Sequence, residues 1–186
     1  MLLEDKVNEL TSRNEPVRIH VGCGSRIFEN YINVDGEYMK NHPDVTFHNI
    51  TEAWPLPDNC VDEILSVHVI EHIEPQHVPA MFEEWLRILK PGGFVALEWP
   101  DLLKACKKIV ANPASLYSKD KKLLKRTVAG IFGNIARYTD PVMLHKWGYS
   151  AESMQHLLSE TGYTKTSSEA NQYGKTEIDS RVVAYK

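Results

Sequence analysis

The segment His20-Val21-Gly22-Cys23-Gly24 constrains the fold more than any other stretch of the chain. It follows Val17-Arg18-Ile19 and precedes a second strand-like run, Tyr31-Ile32-Asn33-Val34, that ends on Asp35. A strand that runs into glycines, followed by a strand that ends in a carboxylate, is the layout of a nucleotide-type ligand site. The residues after Gly24 narrow the ligand. A dinucleotide fingerprint wants a third glycine where Ile27 stands, and a phosphate-cradling loop wants Gly-Lys-Ser/Thr, which does not follow Gly24. The pattern fits an adenosine-like ligand without a pyrophosphate.

Further along, strand and helix patterns alternate. Val45-Thr46-Phe47-His48 and Val61 to Val67 read as strands, the second rich in the apolar residues that a buried parallel strand needs. From Pro79, Phe82, Trp85, Leu86 and Leu89 fall at helical spacing, and Lys90-Pro91-Gly92-Gly93 ends that helix before a fifth strand, Phe94 to Leu97. Ser150 is placed to cap a helix carrying Met154, Leu157, Leu158 and Thr161, with Gly162 closing it. Tyr163 to Ser167 and Arg181 to Tyr185 read as the last two strands. Alternation of this kind predicts a parallel, doubly wound α/β sheet. One departure stands out: Cys23 to Asn30, eight residues, link the first strand to the second, where a parallel crossover normally takes about a dozen. Any helix there is one turn at most.

At 186 residues the chain is expected to be a single domain, 1–186, large enough to bury a core without staples. A net charge of -4 argues against a dedicated nucleic-acid binder. The three cysteines, Cys23, Cys60 and Cys106, form no Cys-x-x-Cys pair, which fits a reducing cytoplasm rather than a disulfide framework. Glu4-Asp5 directly after Met1-Leu2-Leu3 gives no secretory leader, and no apolar run reaches the length of a membrane span. The expectation is a cytoplasmic protein.

Five motifs together resemble class I S-adenosylmethionine-dependent methyltransferases: Gly22-Cys23-Gly24, Val34-Asp35, Pro55-Leu56-Pro57-Asp58, His68-Val69-Ile70-Glu71-His72-Ile73 and Leu89-Lys90-Pro91-Gly92-Gly93. The likeness spans roughly residues 17 to 101, with a weaker echo in His145-Lys146-Trp147-Gly148-Tyr149. It implies a mostly parallel, seven-stranded Rossmann-like sheet with an antiparallel edge strand, and S-adenosylmethionine as cofactor. By the resemblance, Gly22, Cys23 and Gly24 lie against that cofactor and Asp35 takes the ribose hydroxyls. Asn49 stands where the family often has an acidic residue for the adenine amino group, and Ile50 would lie on the adenine face. His68 would sit beside the methionine part, and His72 would begin the next turn, in cofactor contact or in a purely structural bond. Relatives with a similar His-Lys-Trp-Gly-Tyr segment are often encoded beside polysaccharide-building enzymes, which points to a small-molecule or glycan acceptor, methylated on oxygen.

Asp101 to Tyr149 lacks a strand pattern and includes a lysine-rich run from Lys104 to Arg126. Inserted after the fifth strand, 101–149 would roof the carboxyl edge of the sheet as an acceptor-side cap. In it His145 is the candidate general base for an acceptor hydroxyl, against a purely structural role, with Asp101 as a second catalytic candidate. Methyl transfer from a sulfonium needs alignment, exclusion of water and at most one base, so no metal is expected. Two rival readings remain. One is a binding module of the same fold that has lost catalysis. The other is a zinc metallohydrolase, because His68-x-x-Glu71-His72 matches an inverted zinc-protease signature; that chemistry needs both histidines on one helix face, and Pro75 makes a long helix across them unfavourable.

Overall fold

A computed structural model describes residues 2–36, 39, 41–125, 127–133 and 141–186, so Arg126 and part of the 101–149 segment lie outside the described residues. The strands are β1 (Arg18–Val21), β2 (Ile32–Asp35), β3 (Val45–Phe47), β4 (Val61–Val67), β5 (Leu89–Pro100), β6 (Lys165–Glu169) and β7 (Asp179–Tyr185). They form one sheet in the order β3-β2-β1-β4-β5-β7-β6. The first five run parallel, and β7 runs against both β5 and β6. The strand order reverses between β1 and β4, and that reversal leaves a crevice at their carboxyl ends.

The helices are α1 (Leu3–Ser12), α2 (Val78–Ile88), α3 (Leu102–Ala111), α4 (Lys121–Lys125), α5 (Val128–Phe132) and α6 (Ala151–Glu160). α1, α2 and α6 share the main core with one face of the sheet, where Leu3, Phe82, Trp85, Met154 and Leu158 meet Ile19, Ile64, Val95 and Val182. α6 begins as its sequence predicts, with Ser150 Oγ accepting the Ser153 N–H at 3.2 Å, and Gly162 follows it at φ 101°. α2 ends one residue early. Leu89 already pairs with Val61, and residues 90–93 bulge before Phe94 takes up the register opposite Glu63. Gly93 makes that bulge close-packed, since a Cβ there would lie 3.0 Å from the Lys90 carbonyl oxygen. Among the described residues no helix is long and apolar enough to cross a membrane.

The other sheet face is thin. Leu65, Val67, Ala96 and Val183 are covered by Phe28, Tyr31, Tyr173 and the edge aromatics Phe94 and Tyr185 rather than by a helix. Here the short first crossover shows its effect. Residues 23–31 hold no helix, and Asn33 fixes the loop instead: its Oδ1 accepts the Phe28 N–H at 3.1 Å while its Nδ2 donates to the Phe28 and Tyr31 carbonyls at 2.9 and 3.2 Å. That orientation makes Asn33 Oδ1 the acceptor for His20 Nδ1 at 3.2 Å, so His20 carries its proton on Nδ1. Phe28 lies over the imidazole at 4.7 Å.

His20 is 1% exposed, and burial depresses its pKa from 6.5 to about 4. Between those values the unfolded chain binds more protons than the native one. Stability from neutral His20 is therefore full above about pH 6.5 and declines by up to about 3 kcal/mol as pH falls toward 4. Urea unfolding at pH 7 and pH 4.5 will show a smaller loss for His20→Leu than for the parent protein.

Candidate functional site

β1 ends in a turn that only glycine can make at its first position. Gly22 has φ 59°, and a Cβ there would lie 2.5 Å from a methyl of Val69, just beyond β4. The backbone of one strand end is thus pressed against the other at the point where strand order reverses. Cys23 is buried, its N–H donates to the Val34 carbonyl at 3.2 Å, and burial with the nearby Asp35 charge pushes its thiol up to about 12. It stays protonated and is no nucleophile. Gly24 has φ 51° and donates its N–H to Asp35 Oδ2 at 2.6 Å, while Asp35 Oδ1 accepts the Gly36 N–H at 2.8 Å. No atom lies within 4 Å of a Cβ built on Gly24, so a ligand has room there. Each Asp35 oxygen keeps a further lone pair.

The two residues after β3 are placed differently from one another. Asn49 is exposed, and its amide serves the local turn: Oδ1 accepts the Thr51 N–H and hydroxyl, and Nδ2 donates to Glu52. Ile50 is buried in the main core beside Trp54 and Leu56. Arg87 stiffens this wall by bonding the Trp54 and Leu56 carbonyls.

After β4 the chain makes a left-handed step at His68, with φ 58°, and its N–H donates to the Glu98 carbonyl at 2.8 Å. His68 Nδ1 stands 3.3 Å from Glu71 Oε1, and Nε2 stands 3.8 Å from Asp179 Oδ2. Burial works against a charged imidazole, but Glu71 and Asp179 outweigh it and raise the His68 pKa. Ile70–His72 form a single 3-10 turn, so no long helix carries both histidines of the zinc-protease pattern. Burial opposes ionisation of Glu71 as well, yet His68, His72 and His145 hold its carboxyl below the ordinary value.

The sequence does not foretell that His145 arrives at this turn. The Lys146 and Trp147 N–H groups donate to the Glu71 carbonyl at 2.7 and 3.3 Å, and Lys146 Nζ meets Glu74 Oε1 at 2.6 Å. This strap sets the His145 ring 4.9 Å from that of His72, edge to face. Burial lowers the His145 pKa, which leaves the ring neutral at physiological pH. Asp101 is not part of this group. It is buried and caps α3, accepting the Lys104 and Ala151 N–H groups and the Ser180 hydroxyl at 2.9, 3.2 and 2.7 Å.

Between strap, insert and sheet lies a cavity of about 700 Å3, lined among others by Arg26, His68, Lys121, His145, Tyr173 and Asp179. Lys121, Leu124, Ala129 and Gly130 reach it from the 101–149 segment. Its far wall was hidden in the sequence. Residues 171–174 have turn composition, but nothing in them says that they fold back onto β5. The cause is Glu98, 1% exposed, whose carboxylate accepts the Gln172, Tyr173 and Gly174 N–H groups and pairs with Arg181 Nη1 at 3.0 Å. Burial raises the cost of that charge, and the backbone donors and Arg181 outweigh it, holding the carboxyl low. Glu98→Gln would turn an amide N–H toward these donors and leave the buried Arg181 with only the half-exposed Glu169, 3.5 Å from its Nε. The expected loss is about 3–5 kcal/mol in urea unfolding.

Residues 19–97 match the family model for a methyltransferase domain. No curated protein matches the chain. Among solved structures, a SAM-dependent methyltransferase from Archaeoglobus fulgidus has a TM-score of 0.59 at 17% identity, over 97% of this chain and 93% of its own. A second, from Thermotoga maritima, has a TM-score of 0.56 at 16% identity, over 97% and 87%. A phosphoethanolamine N-methyltransferase from Haemonchus contortus, solved in complex with S-adenosyl-L-methionine, has a TM-score of 0.52 at 12% identity; 98% of this chain covers 52% of that one. Identities this low speak for the fold. Residues 19–97 thus match a methyltransferase domain, and the chain has the fold of S-adenosylmethionine-dependent methyltransferases.

Proposed function

We propose that this methyltransferase transfers the methyl group to an oxygen of a small-molecule or sugar-type acceptor bound in the cavity beneath residues 101–149. The observation that carries this reading is the position of His145, a neutral imidazole on the wall of that cavity. S-adenosylmethionine supplies an electrophilic methyl group on a sulfonium, so the chain has to bind and align its partners and handle one acceptor proton.

The cofactor half rests on the crevice between β1 and β4. Gly22 leaves the backbone bare where a side chain would collide with Val69, Gly24 leaves open space, and Asp35 has lone pairs left for a ribose diol. His68 borders both this crevice and the cavity, beside the methionine end. The remaining sequence assignments carry less: Asn49 is held by its own turn and Ile50 by the core, so the adenine would meet them at their edges, and His72 acts through His145 and Glu71. Asp101 is a positioning residue, since its cap orients α3 and thereby the roof.

On the acceptor side, Arg26, Lys121 and Lys175 line the cavity together with Asp179, whose carboxylate accepts the Lys175 N–H, and the excess of cations favours an acceptor carrying negative charge near its reacting hydroxyl. The strap from 145 to 147 excludes water from one side. Deprotonation of the hydroxyl depends on His145, whose Nδ1 lies 3.2 Å from the Gly130 carbonyl and so keeps Nε2 as a lone pair. Loss of catalysis in a retained binding fold is the competing reading, and turnover across an acceptor library decides between the two.

Two outcomes follow. Asp35→Ala should weaken S-adenosylhomocysteine binding in calorimetry by about 1.5–3 kcal/mol, the value of hydrogen bonds to a charged group. His145→Ala should lower turnover of the acceptor so identified by about 10²- to 10⁴-fold while cofactor affinity stays constant. Intact turnover with a lower melting temperature would make His145 a structural clasp.

A further inference from the structure

Glu71 is in an unusual state for a buried acid. Its side chain is 2% exposed, yet neither carboxylate oxygen has a hydrogen-bond partner among the described residues. An ion buried this way is costly unless something of opposite charge meets it. The nearest groups are His68 Nδ1 at 3.3 Å and His72 Nε2 at 3.9 Å from Oε1, both within ion-pair range, so His68 supplies the counter-charge while Oε2 meets none.

Two imidazoles stand beside this carboxylate. His72 Nδ1 lies 3.1 Å from the Leu144 carbonyl oxygen, and His145 Nδ1 lies 3.2 Å from that of Gly130. A carbonyl can only accept, so each ring carries a proton on Nδ1, and Nε2 is the nitrogen that a metal ion would take. A backbone carbonyl behind each ring is the outer support that orients metal-bound histidines. One ligand atom from each of Glu71, His72 and His145 lies within 4.8 Å of the other two.

We propose that Glu71, His72 and His145 bind a divalent transition-metal ion at the wall of the cavity. Two neutral imidazoles and one carboxylate suit zinc and its first-row neighbours, whereas magnesium asks for oxygen ligands. Tetrahedral ligand atoms about 2.1 Å from zinc are about 3.4 Å apart, so the three ligand atoms have to draw together by little more than an ångström. The strap explains how the third ligand is delivered: the Lys146 and Trp147 amides are tied to the carbonyl of Glu71 itself. This set differs from the hydrolase pattern, which would use His68 and His72 as ligands and leave Glu71 as a base. His68 here pairs with Glu71 when the ion is absent and stays outside the ligand set.

His145 lines the acceptor cavity, so the ion faces it. An acceptor hydroxyl bound to the ion loses its proton to solvent more readily, and His145 then serves the reaction as a ligand rather than by taking the proton itself. That consequence rests on the methyltransferase reading; the binding of the ion does not.

The test is addition of cobalt(II) to the full chain after chelator treatment. The expected result is a visible d–d spectrum that saturates at one ion per chain and is displaced by zinc. His72→Ala and His145→Ala should each weaken binding by about 100-fold or more, and His77→Ala, at an exposed histidine, should not. Circular dichroism confirms that each variant is folded. Should either variant fail to fold, zinc titrated into parent protein with nitrogen-labelled histidines should shift the Nε2 resonances of His72 and His145. No cobalt spectrum from folded protein, binding unchanged in His72→Ala, or unshifted Nε2 signals would overturn the site. Calorimetry with S-adenosylhomocysteine on the same metal-free sample separates the two readings: cofactor binding without metal binding sinks only the ion, and metal binding without cofactor binding sinks only the methyltransferase assignment.

Discussion

The side chain on which the site depends is Glu98. Its carbonyl holds the N–H of His68 in a left-handed step, and its carboxylate gathers three backbone amides of residues 172–174 and the Arg181 guanidinium. One buried residue on β5 thereby fixes the end of β4, the loop before β7 and one wall of the cavity. A carboxylate in that position is tolerated only because every donor around it is committed to it. The arrangement resembles a packed core in its intolerance of change, although its contacts are polar.

Placing such a hub beside the crevice between β1 and β4 has a chemical use. Gly22 against Val69 shapes the crevice end, and the 144–147 strap shapes the cavity beside it. His68 stands between them, held by Glu98 from below and facing Glu71 and Asp179. A non-glycine residue with positive φ costs free energy that the surrounding bonds must offset, and such steps gather where side chains have to be aimed. Here the step turns an imidazole into the cavity at the strand end.

Much of the structure around the β1–β4 crevice was legible in the sequence because it is local. The glycines, Asp35, the Ser150 cap and the Gly162 stop are all recognised within a few residues of the structure they make. The first crossover was legible as too short for a full helix, but not the device that replaces the helix, since Asn33 bonding back to residues 28 and 31 is a matter of side-chain direction. The cavity wall was not legible. His145 meets His72 through backbone bonds to a carbonyl some seventy positions away, and Glu98 reads in sequence as one more residue of a strand. Asp101 was named in the sequence as a second catalytic candidate beside His145; in the structure it stands one residue before α3 and caps that helix. His68-Val69-Ile70-Glu71-His72 was weighed as a metal motif by asking whether one helix could carry it, a question that overlooks a ligand arriving from another segment.

The route by which β7 enters the sheet affects the order in which the molecule assembles. His20 and Asn33 lie 13 residues apart, so the β1–β2 unit closes a small loop at little entropic cost. Glu98 and Arg181 lie 83 residues apart, and β7 has to slot between β5 and the edge strand β6 before they can meet. Contacts of such long range reward the chain late, after the loop entropy has been met. The half of the molecule that holds Asp35 and the glycines therefore gains its shape from neighbours in sequence, while the cavity walled by residues 173–179 exists only once the last strand is home. A chain cut short before β7 keeps every residue of the first half and has no chamber in which to use them.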